Sequence, residues 1–199
     1  MYKRGAEMSE MPILEKGWIL VENGKIIDLG SGKCPGCERF DESVDLQGKL
    51  VLPAFVDSHT HLVYAANRED EFAMRLSGKS YAEIAAAGGG ILNSARKLAE
   101  APEEALLHGA YHRLHDLMRM GTGALEIKSG YGLNFKKEEE ISHIIDDLKN
   151  YFQPKVQIIN TYMAAHAIPK EFSSSKEYMD KVVLPLLDKL SKTNILDCV

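Results

Sequence analysis

Residues 51–62, VLPAFVDSHTHL, are the segment around which the fold is organised. The segment begins with an apolar run that predicts a buried strand, and it ends with two histidines separated by one residue. Because side chains alternate between the two faces of an extended chain, we expect His59 and His61 on the same face. Two imidazoles at a strand end favour a divalent metal ion, most often zinc, over two polar residues that simply follow a strand. In parallel α/β barrels the chemistry lies at the carboxyl ends of the strands, and this pair falls at such an end.

The composition limits the class of protein. The 199 residues are 45% hydrophobic and 27% charged, which predicts a soluble globular protein that buries a core. The net charge of −5 and the lack of a basic run argue against nucleic acid as a partner. No apolar stretch approaches the roughly 20 residues of a membrane span, and residues 1–7 lack a signal-peptide pattern. Three cysteines give no disulfide framework, so we expect a cytoplasmic protein.

Residues 1–50 predict a small β unit that precedes a different domain. Two apolar runs, at 18–22 and 25–30, flank Asn23-Gly24, which is typical of a tight hairpin turn. A further short run at 43–46 leads into the apolar segment. Cys34 and Cys37 form a C-x-x-C pair within a Pro/Gly turn. With no second pair and no βαβ context, a surface turn with two free thiols is favoured over a zinc or redox site.

From residue 62 onward the pattern is an alternation of helices and strands. We predict a polar loop over 62–79, and then a helix that begins with a capping box at Ser80 and ends at the glycine triplet 88–90. The remaining predictions are helices around 102–120, 141–148 and 175–192, the last interrupted by Pro185, and strands at 124–129, 156–162 and 194–199. These are three complete βα units and the start of a fourth. A closed eight-stranded barrel needs about 250 residues, so the chain is expected to be the front part of a longer protein.

Further polar residues fall near the predicted strand ends. Tyr131 lies between two glycines just after the second barrel strand, where a substrate-binding role and a purely structural turn are equally plausible. His166 follows the third strand and joins the same candidate face. A histidine series at 108, 112 and 115 falls to one side of the apolar stripe of its helix and lacks the glutamate of H-E-x-x-H, so we interpret it as a solvated flank. The glycine triplet lacks the Lys and Ser/Thr of a phosphate loop.

Taken together, these motifs resemble the imidazolonepropionase family of the amidohydrolase superfamily. The strand and its H-x-H resemble the superfamily metal motif, and more specific segments extend the likeness over residues 15–199. These segments are Arg68, EF at 71–72, RL at 75–76, YAEIAAAGGGI at 81–91, EIKSGYGL at 126–133 and AHAIP at 165–169.

The resemblance implies an α/β fold: a partial TIM-like (β/α) barrel of a metal-dependent hydrolase over 51–199, preceded by part of a small β-sandwich over 1–50. It implies hydrolysis of a ring C–N bond of 4-imidazolone-5-propanoate to N-formimidoyl-L-glutamate in histidine degradation. His59 and His61 match metal ligands for Zn²⁺ or Fe³⁺, and Arg68, Tyr131 and His166 match substrate-binding positions. The family's catalytic aspartate and its further metal-binding histidine are expected beyond Val199, so no catalytic residue is expected within these 199. A full-length form is expected to be a homodimer.

The chain departs from the family pattern at one position, and two alternative functions stay open. The chain has Ala164 where family members usually have glycine, and the added methyl group crowds the backbone slightly. The second hypothesis is another amidohydrolase that acts on a different cyclic amide or deaminates a ring. The third is a non-catalytic remnant or interaction module. We expect the 199-residue chain alone to bind metal weakly and to be inactive, because three protein ligands are the usual minimum for a catalytic zinc.

Overall fold

The computed structural model describes residues 5–10, 12–36 and 39–199. The chain divides into two compact units, Met1–Leu52 and Pro53–Val199. In the predicted C-x-x-C turn, Cys34 is a free, half-buried thiol, and Cys37 lies outside the described residues.

The first unit contains the predicted hairpin. Strands β1 (Gly17–Glu22) and β2 (Lys25–Ser31) pair antiparallel, with Glu22 opposite Lys25 across the turn. Asn23 and Gly24 have φ angles of 51° and 73°, as a two-residue turn between twisted strands requires. Residues 43–46 lie outside any strand.

The second unit alternates strands and helices. Its strands are β3 (Phe55–Thr60), β4 (Thr122–Lys128) and β5 (Gln157–Thr161). They form a parallel sheet in the order β3-β4-β5. The helices are α1 (Glu69–Leu76), α2 (Tyr81–Ala86), α3 (Ile91–Glu100), α4 (Glu103–Arg119), α5 (Phe135–Phe152), α6 (Ser175–Tyr178) and α7 (Leu184–Leu190). The predicted α/β alternation is confirmed, whereas a three-stranded sheet does not by itself establish a barrel.

Helices α4 and α5 pack on the sheet and supply most of its apolar cover. Leu125 and Ile127 of β4 are almost fully buried in this core. The apolar side chains of α4 and α5 that meet them recur at helical spacing: Leu106, Ala110, Leu114, Ile141, Ile144, Ile145 and Leu148. This packing fixes the direction of the strands, so the residues that follow β3, β4 and β5 emerge at the same edge of the sheet.

Two helices differ from the prediction. The polar loop predicted over 62–79 contains α1, whose first turn carries Glu69, Asp70 and Glu71. These carboxylates stabilise the helix through its dipole, a signal that apolar periodicity does not show. Helix α3 was also not predicted, and it begins immediately after Gly90.

The capping box at Ser80 is confirmed. Its hydroxyl accepts from the backbone N–H of Glu83 at 3.3 Å, and its own N–H donates to the Glu83 carboxylate at 2.8 Å. In the glycine triplet, a Cβ on Gly89 would lie 2.8 Å from the side chain of Ile84. The triplet is therefore a place of close approach between α2 and the loop that follows it.

The apolar run before the histidines is more exposed than the sequence predicts. Phe55 and Val56 are 61% and 74% exposed, so the prediction of a buried strand is wrong for the residues described. Among the described residues, β3 lies at the edge of the sheet and pairs only with β4, so no strand beyond it covers these side chains. The predicted fourth strand over 194–199 is reduced to an isolated bridge between Thr161 and Cys198.

The helix predicted over 175–192 changes its hydrogen-bond pattern before Pro185 but does not break there. Helix α6 continues through a π-helical segment, Met179–Val183, into α7. Pro185 lies in the first turn of α7 and has no backbone N–H to donate to the preceding turn, which accounts for the local change of hydrogen-bond pattern.

Candidate functional site

The H-x-H motif lies at the carboxyl end of β3. The ring centroids of His59 and His61 are 5.6 Å apart, which agrees with the expectation that both rings lie on one side of the strand. The backbone N–H of His59 donates to the Asp57 carboxylate at 3.2 Å, so Asp57 braces the segment between the strand and the pair. His59 is exposed, whereas His61 is half-buried.

His61 lies at the centre of the site. Both of its ring nitrogens are buried, and neither has a hydrogen-bond partner among the described residues. Burial, followed by the neighbouring His166 and His59, lowers the pKa of His61 to about 4, and the backbone of Ser129 and Lys128 opposes the shift only in part. The ring is therefore neutral at physiological pH, the state in which imidazole binds a metal ion.

The loop after β4 brings Tyr131 against His61. The ring centroids lie 4.8 Å apart in an edge-to-face arrangement. The buried carboxylate of Glu138 holds this loop by accepting from the backbone N–H groups of Gly130 at 2.9 Å, Gly132 at 2.6 Å and Leu133 at 3.0 Å. Glu138 was not predicted as a site residue, although a glutamate in the first turn of a helix that follows a glycine-rich loop is a usable signal.

The loop after β5 brings His166 to the same place. Its ring lies 5.0 Å from that of His61 and 5.4 Å from that of Tyr131. Gly130 makes this approach possible: its φ is 111°, and a Cβ there would lie 2.5 Å from the Met163 carbonyl oxygen and 2.8 Å from the His166 Cβ. Burial, His59 and Arg68 lower the pKa of His166.

Arg68 closes the other side of the site. It precedes α1, and its guanidinium lies 5.8 Å from the centroid of the Tyr131 ring. The Nε of Arg68 donates to the Ser94 hydroxyl at 2.8 Å, and the terminal nitrogens of the guanidinium have no hydrogen bond to the residues that the structure describes, so they can pair with an anion. A cavity of about 240 Å³ lies beside it, lined by His61, Tyr64, Ala65, Ala66, Asn67, Arg68, Ser94, Leu98 and Tyr131.

The loop between His61 and Arg68 is held in place by Arg113 of α4. The Arg113 side chain donates to the carbonyl oxygens of Leu62 at 2.9 Å and Tyr64 at 3.0 Å. Its guanidinium also lies 3.7 Å from the centroid of the Tyr64 ring. Neither Arg113 nor Ser94 was identified from the sequence, because their partners are more than 20 residues away along the chain.

The structure brings together all five predicted site residues, His59, His61, Arg68, Tyr131 and His166, at one edge of the sheet. The unpartnered buried nitrogens of His61 fit a metal ligand, because a buried polar atom without a partner is destabilising unless something else binds it. Within residues 5–10, 12–36 and 39–199, however, there is no group of three or more His, Cys, Asp or Glu side chains arranged to hold a metal ion. The residues fit part of a metal site.

The known proteins to which this chain is similar in sequence belong to the family that its motifs resemble. The chain is 44% identical to an imidazolonepropionase of Christiangramia forsetii, 41% to one of Flavobacterium johnsoniae and 38% to one of Streptococcus gordonii. Each similarity covers 97–98% of this chain but only 46–47% of the relative. The chain thus spans about half the length of the curated relatives it matches. No family model matches it.

The structure defines the class as a parallel α/β unit with two histidines at the carboxyl end of β3. In sequence, the chain is a relative of the imidazolonepropionases, and the resemblance predicted from its motifs is confirmed. In the part of the chain that the structure describes, no helix combines the length and the apolarity needed to cross a membrane.

Proposed function

We propose that this chain supplies part of the active site of an imidazolonepropionase. The reaction is the hydrolysis of a ring C–N bond of 4-imidazolone-5-propanoate: water adds across the amide, giving the carboxylate and the formimidoyl nitrogen of N-formimidoyl-L-glutamate. The observation that carries the proposal is the convergence of His61, Tyr131 and His166 from three strand ends, in a chain similar to imidazolonepropionases over 98% of its length.

Arg68 binds the propanoate carboxylate in this proposal. Its Nε is already occupied by Ser94, so the two terminal nitrogens form the fork that pairs with both oxygens of a carboxylate. The ring of Tyr131 lies 5.8 Å from the Arg68 guanidinium and 4.8 Å from the His61 ring. It therefore sets the spacing between the carboxylate of the substrate and the reacting ring. Ser94 and Arg113 act on the substrate through the residues that they hold in position.

His166 and Tyr131 contact the substrate ring in this proposal. A neutral His166, which its lowered pKa favours, donates one hydrogen bond and accepts another. Both hydrogen-bonding capacities suit a ring that presents N–H and carbonyl groups. Glu138 is the positioning residue of the Tyr131 loop and does not reach the substrate, because its carboxylate is engaged by three backbone N–H groups.

His59 and His61 would hold one metal ion, Zn²⁺ or Fe³⁺, since imidazole suits both. When bound, such an ion lowers the pKa of a coordinated water and polarises the lactam carbonyl. The neutral, desolvated ring of His61 is suited to this role, and His59 adds a second nitrogen from the same side of the strand.

The wider architecture belongs to the same proposal. Residues 51–199 form the first part of a (β/α)8 barrel, and residues 1–50 form part of a β-sandwich. A full-length form is a cytoplasmic homodimer that acts on a small molecule, with neither nucleic acid nor membrane as a partner. The parallel order β3-β4-β5 and the exposure of the edge strand support the barrel, because an edge strand with apolar side chains calls for a further neighbour.

A second candidate function is a non-catalytic module made of this chain alone. The absence of a three-ligand metal group among the described residues favours it for the isolated 199 residues. Measuring bound zinc per chain together with the ring-opening rate tests the proposal. Weak, substoichiometric zinc and no turnover are expected for the isolated chain. Tight zinc at one per chain with turnover would contradict the prediction of an incomplete site.

A panel of cyclic amides separates imidazolonepropionase from other amidohydrolases. A full-length form should open 4-imidazolone-5-propanoate and fail on the same ring without the propanoate group, because Arg68 would lack its anionic partner. Preference for an uncharged lactam, or deamination of a ring in place of its opening, would contradict the proposed substrate.

A further inference from the structure

A second pair of histidines lies on the exposed face of α4, in a separate part of the unit from the proposed active site. His108 and His112 are one helical turn apart, and both are exposed. Their Nε2 atoms lie 3.0 Å from each other, and their ring centroids are 4.3 Å apart. The exposure of this face agrees with the solvated flank predicted from the sequence, but the facing nitrogens were not expected.

The distance between the two nitrogens matches that of two ligands on one ion. Two imidazole nitrogens bound at about 2.0–2.1 Å, with an angle of about 90–110° between them, lie about 2.8–3.4 Å apart. The observed 3.0 Å falls inside this interval. We propose that His108 and His112 form a chelating site for a late first-row divalent transition-metal ion, tightest for Cu²⁺.

Conversion of the present contact between the rings into a chelate needs a change of tautomer and a rotation that turns both lone pairs toward the ion. A hydrogen bond between the two Nε2 atoms requires a proton on one of them and a lone pair on the other. A bound ion requires lone pairs on both, so the ring that donates moves its proton from Nε2 to Nδ1. No charged imidazolium needs to form.

The helix holds the pair in a nearly fixed geometry. Leu106, Ala110 and Leu114 anchor the opposite face of α4 in the core with at most 1% exposure. The ring of Tyr111, which is partly buried against the same core, packs against that of His112 with centroids 5.5 Å apart. A site whose ligands are already in place loses little conformational entropy when it binds.

Two protein ligands define a site of moderate affinity. Because the described residues contain no three-residue ligand group, water completes the coordination of the ion. Glu104, one turn before His108, lines a shallow surface hollow with Pro102, Ala105 and His108, and its charge attracts a cation to this end of the helix. Cu²⁺ suits such a site because it prefers nitrogen ligands and readily retains water in its remaining positions.

Titration of the chain with Cu²⁺, followed through the ring resonances of its seven histidines, tests the site. We expect the paramagnetic ion to broaden the signals of His108 and His112 together at substoichiometric amounts, before that of His115, which is exposed on the same helix. Broadening of all exposed histidines in parallel would overturn the proposal.

Single substitutions separate chelation from adventitious binding. His108→Gln and His112→Gln should each weaken Cu²⁺ binding about ten-fold or more, because the second imidazole of a chelate binds intramolecularly. The matched control His115→Gln should leave the affinity unchanged. Equal affinity in all three variants would overturn the proposal. The affinity of each variant is read from the remaining histidine resonances of α4 and not from those of His59 and His61, so the result is independent of whether the chain contributes to ring opening.

Discussion

The imidazole rings of His61 and His166 lie 5.0 Å apart, although the two residues follow strands that are not neighbours in the sheet. Strand β4 lies between β3 and β5, so the two rings meet above its end. The contact depends on Gly130, two residues after the end of β4, because a Cβ at this position would lie 2.8 Å from the Cβ of His166. The candidate site is therefore produced by three consecutive βα units and not by any single motif.

The first prediction concerns the pH dependence of stability. His61 has a pKa lowered from 6.5 to about 4 in the folded protein, so folding disfavours its protonated form. Its contribution to the free energy of unfolding is fully present above pH 6.5 and is lost as pH falls through about 4. Urea unfolding between pH 7 and pH 4 should show this loss in the wild type, and His61→Leu should reduce the slope.

The control for this prediction is His143→Gln, whose ring is exposed on α5. It should retain the slope of the wild type. A ring titration of His61 with its midpoint near 6.5, or an unchanged slope in His61→Leu, would show that burial does not keep this ring neutral.

The second prediction concerns Arg68. In a full-length form, Arg68→Lys should raise KM about ten- to one hundred-fold with a smaller change in kcat, because lysine cannot pair with both oxygens of a carboxylate. Steady-state kinetics on 4-imidazolone-5-propanoate measure this. Arg75→Lys is the matched control: Arg75 is exposed on α1, the helix that Arg68 precedes, and its replacement should leave KM unchanged. A change confined to kcat would remove Arg68 from the carboxylate site.

The third prediction concerns the buried carboxylate of Glu138. Glu138→Gln should lower the free energy of unfolding by about 2–4 kcal/mol. The amide replaces one of the two accepting oxygens with an N–H₂ group, so at least one backbone N–H of the loop faces another donor and loses its acceptor. Urea denaturation measures this. Asp147→Asn, exposed on the same helix, should change stability by less than about 0.5 kcal/mol. Equal stabilities of the two variants would show that the loop does not depend on Glu138.

The fourth prediction concerns Gly130. Gly130→Ala should destabilise the chain by more than about 2 kcal/mol and displace His166, because its φ of 111° disfavours a side chain and the new methyl meets the Met163 carbonyl oxygen. Thermal unfolding and the ring resonance of His166 report these two effects. Gly78→Ala is the contrast: its φ of 89° also disfavours a side chain, but no atom lies within 4 Å of the new methyl, so the loss of stability should be smaller, about 1 kcal/mol, and the His166 resonance should not shift.

Most of the local structure follows from sequence signals that act over a few residues. The Asn23-Gly24 turn, the Ser80 capping box and the apolar period of α4 predict their elements correctly, since turn, cap and stripe are each defined within one element. Helix α1 escapes this reasoning because its stability comes from acidic residues at its beginning and not from an apolar stripe.

The candidate site is predicted from the sequence only in part. Placement at strand ends is enough to group His59, His61, Tyr131 and His166, because parallel strands share one carboxyl edge. Residues that act by positioning others are not visible in this way. Ser94 is identified only by its hydrogen bond to Arg68, and the exposure of Phe55 only by the position of β3 at the sheet edge.

The ring-opening rate of 4-imidazolone-5-propanoate, measured with a full-length form, tests the central claim most directly. We expect turnover by the wild type, loss of turnover in His61→Ala, and unchanged turnover in His143→Gln. A wild type that leaves the imidazolone ring closed, or turnover that survives in His61→Ala, would contradict it.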